Sequence, residues 1–228
     1  MDLPSRRLPP LIFGIYLITC ICGMLDAACF LGLGQVFAEI MTGNLVYMAF
    51  AIGTKRTATN LPVLPYVIAL GTFAIGALAG GRLVRLRSSL GRHRIAFAVE
   101  WLALACAIGA TLIVHPQYHG DARFTVIGIL AFGMGIQNAA VRKWGIPDLA
   151  TNVMTLTMTG LITDTRLAGG DNQHAGRRST SIGIFGAFLV RYGVLWPQVA
   201  VLVIFTAALP VLLQGDPRED PERTAAKR

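Results

Sequence analysis

Two acids, Asp26 and Glu39, stand inside the apolar stretch from Cys22 to Gly53. A carboxylate in hydrocarbon costs at least a few kcal/mol, so acids placed there usually serve a pathway or a partner. A fainter copy of the first site lies downstream. Gly135-Ile136-Gln137-Asn138-Ala139-Ala140 matches Gly23-Met24-Leu25-Asp26-Ala27-Ala28 at an offset of 112. The chain therefore reads as duplicated.

Only 14% of the 228 residues are charged and 54% are hydrophobic, against about 25% charged in a soluble domain. The chain is an integral membrane protein, with room for roughly six to eight spans of about 20 residues. A net charge of +8 could be taken for a nucleic-acid footprint. The basic residues instead sit in short loops between apolar runs, as topology signals do, so no nucleic acid is expected. Cys20, Cys22, Cys29 and Cys106 all lie in apolar runs without CxxC or His/Cys spacing, and read as reduced packing residues. No cofactor or metal signature is present. Arg6-Arg7 followed by an apolar run resembles a signal peptide, but the run continues past any cleavage point and reads as an uncleaved first span.

Apolar segments fall at 8–34, 36–53, 63–86, 94–115, 122–143, 148–167, 180–194 and 196–213. After its polar dip the second retains 13 residues, Met41 to Gly53, and the sixth retains 14, Met154 to Leu167. Such lengths suit re-entrant segments better than crossings. Charge agrees. With eight crossings and a cytoplasmic N-terminus, the 20 basic residues divide 12 inside and 8 outside. With six crossings and two re-entrant segments only Lys55, Arg56, Arg123 and Arg191 lie outside, leaving 16 inside. The expected fold is thus an all-α membrane protein of about six transmembrane helices plus two short half-helices, both termini cytoplasmic. Its halves, about 8–115 and 122–213, enter the membrane from opposite sides as an inverted repeat. They form one domain over 1–213, followed by a polar, flexible cytoplasmic tail at 214–228.

Inverted repeats with broken helices recur in transporters, where half-helix ends meet a solute near the midplane. Candidate binding residues are Asp26, then Thr42, Gly43 and Asn44 at the first break, Gln137 and Asn138 at the repeat position, and Thr155, Thr159 and Gly160 at the second break. Hydroxyls, carboxamides and glycines at a half-helix start can coordinate a solute; they can equally cap the helix. Asp26 could bind a cation, relay a proton, or hold the dipped backbone. Glu39, just before the first half-helix, reads as its cap. Glu100 reads as pairing with Arg92 or Arg94 near the interface, and Trp101, Trp144 and Trp196 as interfacial anchors. Small residues at Gly76 and Gly80, and again at Gly183 and Gly186, read as helix-packing seams, with a homo-oligomer through Gly76/Gly80 as the alternative.

Gly23-x-x-Asp26-Ala27-x-x-Phe30-Leu31-x-Leu33-Gly34-x-Val36-Phe37, then Met41-Thr42-Gly43-Asn44, with Gln137-Asn138-Ala139 and a Thr-Gly motif in the second half, resembles the YoaK-like family of bacterial membrane proteins. The resemblance covers nearly the whole chain. It implies a bacterial inner-membrane protein of about six spans and carries no substrate or reaction with it. The chain departs from the family pattern at Met154 to Met158, where an extra threonine-rich turn precedes Thr159-Gly160. The sequence thus points to a transporter or channel for a small solute or ion. The alternatives are a non-catalytic scaffold or a membrane-embedded enzyme using Asp26 with Glu39. The enzyme reading finds no HExxH, GxSxG, phosphate loop or Cys/His pair to support it.

Overall fold

A computed structural model describes residues 9–53, 61–85, 89–117, 120–142 and 195–212. The expected sixth and seventh segments, Trp144, the Gly183/Gly186 seam, Lys55, Arg56, Arg191 and the tail lie outside these residues. All the regular structure described is helical: α1 (Pro9–Gly32), α2 (Met41–Gly53), α3 (Leu64–Arg85), α4 (Ser89–Val114), α5 (Arg123–Arg142) and α6 (Leu195–Leu212). By length and composition, three of them can cross a membrane: Leu64–Leu83, Ile95–Val114 and Arg123–Arg142. α2 has 13 residues. At 1.5 Å per residue it spans about 20 Å, short of a hydrocarbon core of about 30 Å.

α1 stops for a local reason. The Gln35 N–H donates to the Phe30 carbonyl at 3.0 Å across Gly34, whose φ is 96°. This is a glycine-terminated C-cap, in which the residue past the helix turns left-handed. The chain then folds back along the helix it has left. The amides of residues 38 to 40 reach Asp26, six residues before the last residue of α1 and so about 9 Å back along its axis. From there α2 runs in the direction of α1. Phe30, one turn beyond Asp26, lies 5.1 Å from Phe37 and 5.8 Å from Tyr47 between ring centroids. Tyr47 in turn stacks on Tyr66, near the start of α3, at 6.1 Å.

α5 runs antiparallel to α1. Its first residue, Arg123, donates to the Leu33 carbonyl at the end of α1 (3.4 Å), and Gln137 meets Cys22 deeper in the bundle (3.8 Å). α3 and α5 run parallel and very close. A methyl on Gly76 would collide with the Phe132 carbonyl, one on Gly80 would sit 2.9 Å from the Ile136 Cα, and one on Gly135 would strike the backbone of Phe73 and Ala77. Small residues at four-residue spacing permit this approach. The Gly76/Gly80 seam is therefore filled by α5 of the same chain.

α4 runs antiparallel to α5, with Ala96 beside Ile136 and Ala140 and with Ala103 facing Gly133. It also runs antiparallel to α6, through Phe97 with Phe205 and Thr111 with Gln198. The last residue of α5 and the first of α6 consequently lie at opposite ends of the bundle. The core lies between α1, α5 and α6, around Ile21, Leu25, Leu130, Met134, Val201 and Phe205. All four cysteines are free; Cys20, Cys22 and Cys29 are buried, whereas Cys106 is exposed on α4.

Candidate functional site

The site is assembled around the fold-back between α1 and α2. The Asp26 carboxylate, 2% exposed, accepts three backbone N–H groups: Ala38 at 2.7 Å and Glu39 at 2.8 Å on Oδ1, and Ile40 at 3.2 Å on Oδ2. These amides precede α2, where backbone donors lack intrahelical partners and negative charge is favoured. Asn44, fully buried, closes the turn from within α2: its Oδ1 accepts the Phe37 N–H at 2.9 Å and its Nδ2 donates to the Phe37 carbonyl at 2.8 Å. Asp26 and Asn44 together hold residues 37 to 40 at the level of the bundle interior.

The capping role expected of Glu39 thus belongs to Asp26, because the fold-back aims the amides of 38 to 40 at α1. The Glu39 side chain points elsewhere. Asn138 Nδ2 lies 3.5 Å from Glu39 Oε1 while also donating to the Met134 carbonyl at 3.0 Å. The Cys22 thiol comes within hydrogen-bonding range of the same carboxylate and, on its other side, sits 3.8 Å from Gln137 Oε1. Asp26 and Asn138, which match in sequence at an offset of 112, therefore meet one loop, Asp26 through the loop's backbone and Asn138 through the Glu39 side chain.

Glu100 completes the cluster, and the sequence missed it. Its side chain is 0% exposed, and neither carboxylate oxygen has a hydrogen-bond partner among the described residues. The nearest charge of note is Glu39, close enough for the two to repel. The side chains of Arg92 and Arg94, its expected partners, lie outside those described; Glu100 itself is buried, and α4 starts at Ser89. Glu100 then lies 11 residues into the helix, about 17 Å from its start. It falls on the stripe Ala96, Glu100, Ala103, Ala107, all buried, at the spacing of one helix face. The signal that could have found it is that stripe of small residues facing α5. Trp101 moves inward with Glu100 and donates its indole N–H to Thr206 Oγ1 at 2.8 Å, so it is no end anchor. Trp196, largely exposed at the start of α6, keeps an anchor's position.

Of the remaining sequence candidates, Gln137 is 1% exposed with Nε2 unsatisfied among the described residues. Gly43 packs under the Phe37 ring, where a Cβ would sit 2.7 Å from the ring edge. Thr42 is exposed on α2. Thr155, Thr159 and Gly160 lie outside the described residues. No group of three or more His, Cys, Asp or Glu among the described residues is arranged to hold a metal ion. The arrangement is a buried acidic cluster, Asp26, Glu39 and Glu100, lined by Cys22, Gln137 and Asn138. It is contributed by α1, the fold-back, α4 and α5.

Comparison with known proteins agrees with the motif resemblance. Residues 14–214 match the family described as protein of unknown function, DUF1275. The chain is 28% identical over 152 residues to the UPF0700 transmembrane protein YoaK of Bacillus subtilis (strain 168), a match spanning 65% of each of the two chains. No solved structure matches it. From Gly14 near the start of α1 to the end of α6, with the acidic cluster between, the chain belongs to the DUF1275 family of YoaK-like membrane proteins.

Proposed function

We propose that this membrane protein is a transporter or channel for a small solute or ion, with its site at the fold-back between α1 and α2. The observation that carries the proposal is the convergence of ionisable and amide side chains from four elements on one interior point, beside backbone that leaves its helix. Irregular backbone at membrane depth is tolerated only where protein or a water-filled cavity satisfies it. A packed scaffold has no use for a fully buried acid without a hydrogen-bond partner among the described residues, which is costly in hydrocarbon.

Several features support the six-crossing, inverted-repeat arrangement. α2 returns toward the end of α1, near the start of α3, as a re-entrant segment does. α5, which aligns with α1 at the repeat offset of 112, runs opposite to it. In this arrangement both termini are cytoplasmic in the inner membrane of a bacterium, and residues 54–60 face outward.

The test is reconstitution of the full chain into liposomes and a screen of ions and small metabolites for flux down a gradient, with single cysteines at 54–60 probed by an impermeant maleimide on intact cells. Flux of at least one solute, reduced in Glu100→Gln, and labelling from outside are expected. Labelling only from the cytosol, or no flux across a broad screen, overturns the proposal.

A further inference from the structure

We infer that Glu100 is a proton-binding site, and that a proton is the ion this cluster takes up and releases. The inference rests on the transport reading above and names the ion for it. Glu100 is fully buried with both oxygens unpartnered among the described residues, and its strongest charged neighbour is another acid, Glu39. An isolated anion in such a place is removed most simply by gaining a proton. Among the described residues no compensating cation faces it. α6 carries no titratable side chain from Leu195 to Leu212. On α3, Arg82 is exposed and Tyr66 stands near the opposite end. On α5, Arg123 is at the far end beside Leu33 and Arg142 is exposed. From the fold-back and α1, the groups in electrostatic reach are Glu39 and Cys22, neither of them positive.

A second observation points the same way. Gln137, 1% exposed, holds an Nε2 unsatisfied among the described residues beside the cluster, while its Oε1 meets the Cys22 thiol that also reaches Glu39. Donor and acceptor capacity are thus both present along a short run of groups, Glu100, Glu39, Cys22 and Gln137. A proton needs only one oxygen, whereas a metal ion needs several ligands arranged around one point, and no group of three or more His, Cys, Asp or Glu among the described residues is so arranged. The step is a simple transfer: Glu100 gains H⁺ from water on one face and loses it to water on the other, its charge alternating between 0 and −1.

The experiment is infrared difference spectroscopy of the full chain in lipid nanodiscs between acidic and alkaline buffers, following the C=O band of protonated carboxyl groups. A band lost in Glu100→Gln and kept in Glu100→Asp is expected. A band unchanged in Glu100→Gln, or one abolished by sodium at constant pH, overturns the proton assignment. A measurement on the wild type alone guards against a variant that fails to fold. An apolar carbodiimide, which attacks carboxyls that carry a proton, should modify Glu100 in peptide maps, less so as pH rises and with no protection by sodium. Modification of other acids with Glu100 spared overturns the assignment. Both readouts are independent of flux, so a persistent band with no transport refutes the transport reading, and transport without the band refutes the proton site.

Discussion

Replacement of Asp26 tests whether one carboxylate holds the fold-back in place. In Asp26→Asn the carboxamide oxygen can retain the Ala38 and Glu39 amides, but its NH₂ then faces the Ile40 N–H, donor against donor. One lost bond with a buried donor left unsatisfied costs about 1–3 kcal/mol. Loss of negative charge before α2 adds about 0.3–1 kcal/mol. In Asp26→Ala all three amides, bonded at 2.7, 2.8 and 3.2 Å in the wild type, lose their acceptor, and the cost rises to roughly 4 kcal/mol or more. For a chain of this size each kcal/mol moves the melting temperature by about 2–4 °C, so the expected losses are about 3–16 °C for Asn and at least about 8 °C for Ala. Scanning fluorimetry of purified protein reads the shift, and amide hydrogen exchange localises it, with faster exchange at residues 38 to 40 in Asp26→Ala. Ile40 alone should be released strongly in Asp26→Asn. An alanine variant that melts with the wild type and keeps those amides protected would refute the capping role.

Further outcomes follow from the same geometry. Asn44→Ala removes both bonds to Phe37 and should cost about 2–4 kcal/mol, whereas Asn44→Asp keeps the acceptor and should lose less; thermal unfolding distinguishes them. Gly76→Ala drives a methyl into the Phe132 carbonyl and should destabilise by about 1–3 kcal/mol or more, while Gly128→Ala, whose Cβ meets only side-chain carbons at 3.5 and 3.7 Å, should be near neutral in the same assay. Gly34→Ala places a Cβ at φ 96° and should lower stability by about 1–2 kcal/mol through the end of α1.

The break after α1 was legible because its causes are local: a glycine at the helix end, acids in an apolar run, and a following segment of 13 residues, too short to cross. The glycine seam was legible as well, since small residues at four-residue spacing permit close approach whichever helix answers them; that α5 answers Gly76 is a tertiary fact. Holding the dipped backbone was one of the readings of Asp26, but the cap was assigned to Glu39, because capping depends on how far the chain folds back, and nothing in 33–40 states that distance. Glu100 was misplaced through a boundary error. Reading the fourth segment from residue 94 treated Arg92 and Arg94 as loop, whereas the helix extends back to Ser89. Five residues amount to about 8 Å, enough to turn an interfacial acid into an interior one.

Because a single side chain on α1 grips the entrance of α2 at three points, the two cannot slide past each other without stripping several donors at once. Any opening motion must therefore carry the pair as one rigid unit. The joints that permit it have to lie elsewhere, at the distal tip of α2 or where α4 and α5 face the acids across the cluster.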